Sequence, residues 1–290
     1  MNNYGELLEN ESLKKYNTYK IGGISKYIIK PYDIDNLKKL LKYLKENNIK
    51  YIVLGKGSNI ILPDEDYNGV IILLDKINNI EIEDNIVTSY AGVTLNKLIT
   101  DTINNNLCGF ENLYGIPGTL GGAIIGNAGC NGSTISDNLI SVTYLENNEL
   151  KEISKEDCDF KYRNSMFKGD KNKIVISAKF KLNTGNKDEL MSIIKEKLMK
   201  RKNSQPLEYP NAGSVFKNPT NDYAGRLIES VGLKGFNIGG AFISDKHANF
   251  IINKNNATKK DIVDLINLIQ DKVEKNYNIK LELEQEIIKF

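Results

Sequence analysis

Several side chains in this sequence have the type and the neighbours to do chemistry. Ser214 lies in NAGSVFKNP (211–219), beside Gly213 and close to Asn211, Lys217 and Asn218. That setting offers a hydroxyl in polar, backbone-accessible surroundings, as a turn residue or as a working group. The GxSxG pattern of a nucleophile elbow is absent, so acyl-enzyme chemistry has no support. Arg163 lies in KYRNSMFKGD (161–170), bracketed by Tyr162 and Phe167. It is either a packed surface residue or a bidentate clamp on a carboxylate, a task that suits a guanidinium better than an ammonium. Near the C-terminus Glu282, Glu284 and Glu286 alternate with Leu281, Leu283 and Ile287. Such a pattern is the wet face of a sheet, unless one carboxylate turns into a cleft, and composition does not choose among the three. His247 is the only histidine, so a catalytic triad has a single possible base and no metal site is expected. It reads as structural or as a pocket rim.

Two glycine-rich segments suggest where a ligand lies. The stretch from Gly109 to Gly132, GFENLYGIPGTLGGAIIGNAGCNG, holds eight of the 23 glycines. Glycine loses the most conformational freedom on folding, so such density is costly unless the backbone must approach something closely or take positive φ. A flexible linker is the other reading, but Leu113, Ile116, Leu120, Ile124 and Ile125 thread the segment and Pro117 fixes one φ. We read it as an ordered wall. The loop Gly55-Lys56-Gly57-Ser58-Asn59 is either a plain turn or a phosphate cradle built from backbone N–H groups, the Ser58 hydroxyl and the Asn59 amide. It lacks the spacing of a P-loop, and Ile60 stands where a dinucleotide-binding fingerprint has its third glycine.

These groups need positioning elements. Asp35 reads as the cap of a helix carrying Leu37, Leu40, Leu41 and Leu44, ended by Asn47-Asn48. Tyr51–Leu54 is a compact strand running straight into the GKGSN loop, and Val70–Leu74 and Ile86–Ser89 are further strands. A helix begins at Leu95, Leu98 and Ile99 and ends at Asn104–Asn106. Leu139–Leu145 and Leu150–Ile153 form a hairpin, and Lys173–Leu182 a strand. Asp188 to Arg201 is expected to be a helix with Leu190, Ile193, Ile194 and Leu198 on one face, with a domain boundary at its start. A short helix, Ala224–Val231, closes at Gly232. Two strand fragments lie in 239–253. Thr258 caps the last long helix, with Asp261 at N3 and Ile262, Leu265, Ile266, Ile269 and Val273 inward. The chain is expected to finish as one strand, IKLELEQEIIKF.

Bulk properties narrow the class. At 290 residues the chain is long for one core, so two or three lobes are expected. A net charge of +2 with acids and bases mixed throughout argues against a nucleic-acid partner. MNNYGELLENESLKKY has no apolar signal-peptide core. No run approaches the roughly 20 apolar residues of a membrane span. Cys108, Cys130 and Cys158 are odd in number and widely spaced, so a soluble cytoplasmic chain with reduced thiols is expected.

Together NTYKIGG, LGKGSN, AGV (91–93), GIPGTLGGAIIGNAG, YRNSMFK, NAGSVFKNP, GLKG (232–235), IGGAFISDKHANFIIN and LEQEI occur in one order. In this the chain resembles the UDP-N-acetylenolpyruvoylglucosamine reductase family, in its shorter subclass without a Tyr-bearing loop before the serine motif. It departs where many relatives have NAGAYG: here NAGCNG places Asn131 at a frequent tyrosine. The resemblance implies an α+β fold: a two-subdomain FAD-binding unit of the vanillyl-alcohol-oxidase (PCMH) type at 1–80 and 81–186, and a third α/β substrate-binding domain at 187–290. It implies non-covalent FAD with NADPH as reductant, and reduction of the enolpyruvyl group of a UDP-linked sugar, with hydride delivered from flavin N5 to the vinyl CH2 carbon. Gly55, Lys56, Gly57, Ser58 and Asn59 would meet the FAD pyrophosphate. Ile116, Pro117, Gly118, Thr119, Gly121, Gly122, Ala123, Asn127 and Ala128 would line its ribityl chain and ring. Ser214 would deliver the proton, and Arg163 and Glu286 would stabilise the enediolate-like charge, Glu286 with a pKa raised by burial and negative neighbours. Tyr162, Gln205, Lys217 and Asn218 would meet the nucleotide-sugar substrate. A monomer is expected. The rival readings are another FAD-dependent oxidase or dehydrogenase of this fold, its flavin tethered through His247 or Cys130, and a non-catalytic nucleotide-sugar binding module.

Overall fold

Asp33 folds its carboxylate back onto the Asn36 N–H at 2.7 Å and so begins helix α1 (Ile34–Glu46). The expected cap, Asp35, lies two residues further on, within the first turn. A capping residue must keep an extended backbone, as Asp33 does (φ −156°, ψ −176°), whereas Asp35 is already helical and complements the helix dipole. The computed structural model describes all 290 residues, Met1–Phe290, and divides into two units. Unit 1 comprises Met1–Glu9, Tyr27–Lys56 and Gly69–Met199; unit 2 comprises Asn10–Lys26, Gly57–Asn68 and Lys200–Phe290. Unit 2 thus draws two segments from the first quarter of the chain, a grouping that differs from three consecutive segments.

In unit 1 α1 buries Leu37, Leu40 and Leu44 in a core with Ile29, Val70 and Ile72. The strands behind it run in the order Gly5–Ser12, Ile24–Pro31, Tyr67–Leu73, Tyr51–Leu54, the last two parallel. A second, antiparallel sheet runs Glu149–Ser154, Leu139–Glu146, Lys173–Lys181, Ile86–Tyr90, Ile80–Glu83. Its central strand, Lys173–Lys181, has buried residues on both faces, and its register slips at a bulge: Val175 pairs with Tyr144 and Ser177 with Thr143, leaving Ile176 extra. Before the bulge Ile174 and Ile176 face the core of α1; after it Ala178 and Phe180 face the other core. That second core is roofed by α2 (Leu95–Asn104) and α3 (Leu120–Ile125), capped by Thr94 and Thr119. The α3 turn lies inside the glycine segment. Helix α4 (Lys187–Ser204) buries Leu190 and Ile194 in this core, but Ile193 and Leu198 are exposed, against expectation. Only its first two turns reach the core, so the apolar stripe has nothing to cover it further on. The unit boundary falls within α4, between Met199 and Lys200.

In unit 2, α5 (Ala224–Ser230) closes at Gly232, whose φ of +73° suits glycine. Helix α6 (Lys259–Tyr277) starts with the expected capping box of Thr258 and Asp261. It packs Ile262, Leu265, Ile266, Ile269 and Val273 into a core with Tyr19, Ile21, Phe216 and Leu281. A three-stranded antiparallel sheet, Asn237–Ile238, Ala241–Ile243, Ile251–Asn253, completes it. The C-terminus is not one strand. Only Glu286–Ile287 pairs, parallel to Ile60–Ile61, and Leu283 makes a single bridge to Phe216. Its backbone groups are shared among Lys217, Val215, Asn59 and Ile61, so no continuous ladder forms.

Candidate functional site

The glycine wall of unit 1 is fixed by the three residues that follow strand Ile86–Tyr90. Ala91 O accepts from Gly121 N–H at 3.0 Å, Val93 O from Leu120 N–H at 2.8 Å, and Leu95 N–H donates to Gly118 O at 3.1 Å. A Cβ on Gly121 would lie 3.1 Å from that of Ala91, so glycine permits this approach. A Cβ on Gly55 would lie 2.8 Å from Thr119 Oγ1, so the head of the GKGSN loop also rests on the wall. Thr119, Gly121 and Ala123 are turned into the core, whereas Pro117 and Gly122 are exposed and Ile116, Gly118 and Ala128 are half-buried. Nothing lies within 3.6 Å of the Cβ positions of Gly122 or Gly126. That combination gives a flat, uncharged surface.

Asn127 adds one polar group to it. The residue is buried with φ +42°, its Nδ2 donates to Lys161 O at 3.1 Å, and its buried Oδ1 has no partner within the chain. A buried acceptor without a donor is costly. A flat heteroaromatic ring with an N–H on its edge answers both features, so the residues present fit a flavin.

The Arg163 loop is bolted to the same wall. Besides the Asn127–Lys161 bond, Ser165 Oγ donates to Ile125 O at 2.8 Å and Arg163 Nη2 donates to Gly129 O at 2.8 Å. Lys168 Nζ reaches Arg163 O at 3.0 Å. Arg163 itself has φ +56°, a left-handed conformation that costs an arginine of the order of 1–3 kcal/mol and persists where the surroundings impose it. Its guanidinium lies 5.2 Å over the exposed Tyr162 ring, while Phe167 is buried. Gly129 is required here, since a Cβ would sit 2.7 Å from Ser133 O, with Arg163 Nη1 also close at 3.1 Å. The divergent Asn131 is exposed at a hairpin tip, where Asn131 (φ +52°) and Gly132 (φ +80°) form a tight turn of the primed type.

Unit 2 gathers the serine, the C-terminal glutamates and the tail of the GKGSN loop. Gly57 has φ +59°, and a Cβ there would lie 2.5 Å from Tyr16 O. Asn59 does not offer its amide outward as expected: Nδ2 donates to Glu284 O at 3.0 Å, and Asn59 O accepts from Glu286 N–H at 3.0 Å. Gln285, between the two glutamates, is buried. Its Nε2 donates to Ala212 O at 3.0 Å and Gly213 O at 3.1 Å, and its Oε1 accepts from the Tyr19 hydroxyl at 3.1 Å. Beyond Ser214, Val215 N–H donates to Asn249 O at 2.9 Å, and Asn249 brackets Phe216 through both ends of its amide. The half-buried Ser214 hydroxyl makes no hydrogen bond within the chain. Ser214 and Glu286 thus share one scaffold, and Arg163 stands on the wall of unit 1.

The remaining expected residues have partners of their own. Lys217 is ion-paired with Glu282, and Asn218 Oδ1 accepts from Ala224 N–H at 3.1 Å at the start of α5. Gln205 Oε1 is buried and without a partner. The burial expected around Glu286 is missing; its side chain is exposed, and Gln285 is the buried neighbour. Burial lowers the His247 pKa below its ordinary value. Its ring lies 4.9 Å from that of Phe250 and Nδ1 accepts from Asn249 N–H, a structural role. Burial also pushes the Cys158 thiol up to about 11 and raises the Tyr19 hydroxyl far above its usual range. Gln285, Tyr19 and Asn249 were not singled out from sequence, where each is one polar residue among many.

Residues 25–149 match the family described as FAD binding domain, and residues 205–288 the UDP-N-acetylenolpyruvoylglucosamine reductase C-terminal domain. The reductase of that name from Carboxydothermus hydrogenoformans is 46% identical over 97% of this chain and 94% of its own. That from Fervidobacterium nodosum is 40% identical over 99% and 94%. The crystal structure of the Thermus caldophilus enzyme superimposes with a TM-score of 0.83 at 31% identity, covering 98% of this chain and 99% of that one. Fold and family match therefore define an α+β flavoenzyme, an oxidoreductase that carries FAD. Within that class, the chain belongs to the UDP-N-acetylenolpyruvoylglucosamine reductase family, which serves peptidoglycan precursor synthesis. No helix is long and apolar enough to cross a membrane.

Proposed function

We propose that the protein reduces the enolpyruvyl ether of UDP-N-acetylglucosamine enolpyruvate to the lactyl ether, giving UDP-N-acetylmuramate, as a cytoplasmic monomer. The three cysteines, none of them in a disulfide, suit a reducing compartment. Bound FAD supplies the hydride for the vinyl carbon, and NADPH renews it. The FAD-binding subdomains are taken as 1–80 and 81–186 and the substrate domain as 187–290; the α1 core draws mainly on the first of these and the α2–α3 core mainly on the second.

The chain's own residues supply the rest. Ser214 gives its hydroxyl proton to the carbon alpha to the carboxylate, completing addition of H− and H+ across the double bond. The observation that carries this is the Ser214 hydroxyl, uncommitted within the chain and set between backbone atoms fixed by Gln285 and Asn249. Arg163 meets the substrate carboxylate, and its fork suits the charge that develops there. Glu286 holds a shared proton at that carboxylate. Glu286 is exposed in the chain alone, so bound substrate would have to supply the desolvation that this role needs. Gln205, with a buried acceptor awaiting a donor, suits an N–H of the nucleotide sugar. Tyr162, Lys217 and Asn218 are further substrate contacts, Lys217 by exchanging Glu282 for a phosphate. Along the wall, Ile116, Pro117, Gly118, Gly122 and Ala128 would face the ring and ribityl chain, with Asn127 Oδ1 as acceptor and Thr119, Gly121 and Ala123 supporting from the core side, and Gly55 to Ser58 would face the pyrophosphate. Asn59 supports that loop through Glu284.

The test is NADPH oxidation by the purified yellow protein with and without the UDP-linked enolpyruvyl sugar. Turnover that requires the sugar, with one NADPH consumed per lactyl ether formed, supports the assignment. NADPH oxidation indifferent to the sugar, or colourless protein, overturns it.

A further inference from the structure

We propose that Gln285 is a positioning residue for Ser214, and that Tyr19 fixes which way the Gln285 amide points. The proposal rests on the reading of Ser214 as proton donor. Gln285 is 3% exposed, and both hydrogens of its Nε2 are committed, to Ala212 O at 3.0 Å and Gly213 O at 3.1 Å. Carbonyls only accept, so the amide nitrogen must face them and the amide oxygen must face Tyr19. The Tyr19 hydroxyl, fully buried, donates to that oxygen at 3.1 Å and so opposes an amide flip.

The Gly213 carbonyl belongs to the peptide plane that carries the Ser214 N–H. That plane follows a glycine at φ +75°, a conformation most residues avoid and one readily lost by a flip of the plane. Holding the carbonyl holds the plane, and with it the direction of the Ser214 Cα–Cβ bond. On the far side Val215 N–H is held by Asn249 O, and Val215 O accepts from Glu284 N–H at 2.9 Å. With the backbone clamped at both sides, χ1 of Ser214 is the freedom left. A group that must meet one carbon of its substrate needs this, because misplacement by about 1 Å costs about 10²-fold in rate.

The experiment uses the FAD-loaded protein with Gln285→Leu, Tyr19→Phe, the double variant and Ser214→Ala. Flavin reduction by NADPH, flavin reoxidation by the enolpyruvyl sugar, KM for the sugar and the thermal midpoint are measured on each. Gln285→Leu is expected to slow reoxidation by about 10²-fold, with reduction by NADPH and KM little changed. Tyr19→Phe, which keeps the buried ring, is expected to slow reoxidation less. That effect should vanish in the Gln285→Leu background, as residues of one network are non-additive. Equal slowing of both half-reactions, a rise in KM at constant kcat, or additive effects overturn the proposal. If Gln285→Leu does not fold, Tyr19→Phe decides alone: unchanged reoxidation overturns it. Reoxidation unchanged in Ser214→Ala defeats the proton-donor reading itself. Slow reoxidation in Ser214→Ala with normal reoxidation in Gln285→Leu defeats only the positioning role.

Discussion

The side-chain amide of Asn59 donates to the carbonyl oxygen of Glu284 at 3.0 Å, joining the loop after the third strand to a segment near the end of the chain. Asn59 O completes the link by accepting from Glu286 N–H. Asn59→Ala removes the side-chain half, and an unmet carbonyl costs about 1 kcal/mol. The expected outcome is a lower thermal midpoint together with slower flavin reoxidation by substrate, because Glu286 loses its tether. Unchanged reoxidation would mean that the loop does not place Glu286.

Arg163 combines a left-handed backbone with a hydrogen bond to Gly129 O. Arg163→Ala is expected to lower kcat by about 10²–10³-fold, the usual effect of losing one donor to developing charge. Arg163→Lys recovers only part of this, since an ammonium lacks the planar fork. Reduction of flavin by NADPH should persist in both. Comparable loss of that half-reaction would contradict a role toward the substrate carboxylate.

Gly57 combines φ +59° with a close approach to Tyr16 O and Asn17. Gly57→Ala therefore meets a left-handed penalty of about 1–2 kcal/mol and a steric clash together. Denaturant unfolding should show a loss greater than the penalty alone. A variant as stable as the parent would show that the NTYKIGG segment yields freely.

His247 gives a pH dependence with a definite sign. The folded ring is held neutral by burial and accepts from Asn249 N–H, so its pKa lies below the unfolded value of about 6.5. As pH falls through that value the unfolded chain takes up the proton first, and stability declines with it. Thermal midpoints measured at about pH 7.5 and 5.5 should fall more for the parent than for His247→Gln. Equal falls would assign the acid sensitivity to other groups.

Much of this was legible in the sequence, for identifiable reasons. Glycine density within an apolar frame marked the wall, because only an ordered segment carries Leu120 and Ile124 between glycines. The capping box of α6 and its inward face were readable because local spacing decides both. Long-range partners were not. Asp33 rather than Asp35 caps α1 because the backbone angle decides, and two neighbouring aspartates look alike. The glutamates of LEQEI alternate as a strand would, yet their backbone goes to four different partners. Gln285 falls in the row of Leu281, Leu283 and Ile287, and only tertiary structure shows which groups it meets there, Ala212, Gly213 and Tyr19. The positive φ of Arg163 leaves no sequence trace at all.

The central claim is that one hydroxyl supplies the proton when substrate is reduced. It is tested most directly by following flavin colour through the two half-reactions of Ser214→Ala. The account predicts that reoxidation by the enolpyruvyl sugar slows by about 10²–10⁴-fold, the range of a positioned acid, while reduction by NADPH keeps the parent rate. Reoxidation at the parent rate, or equal slowing of both steps, would contradict it.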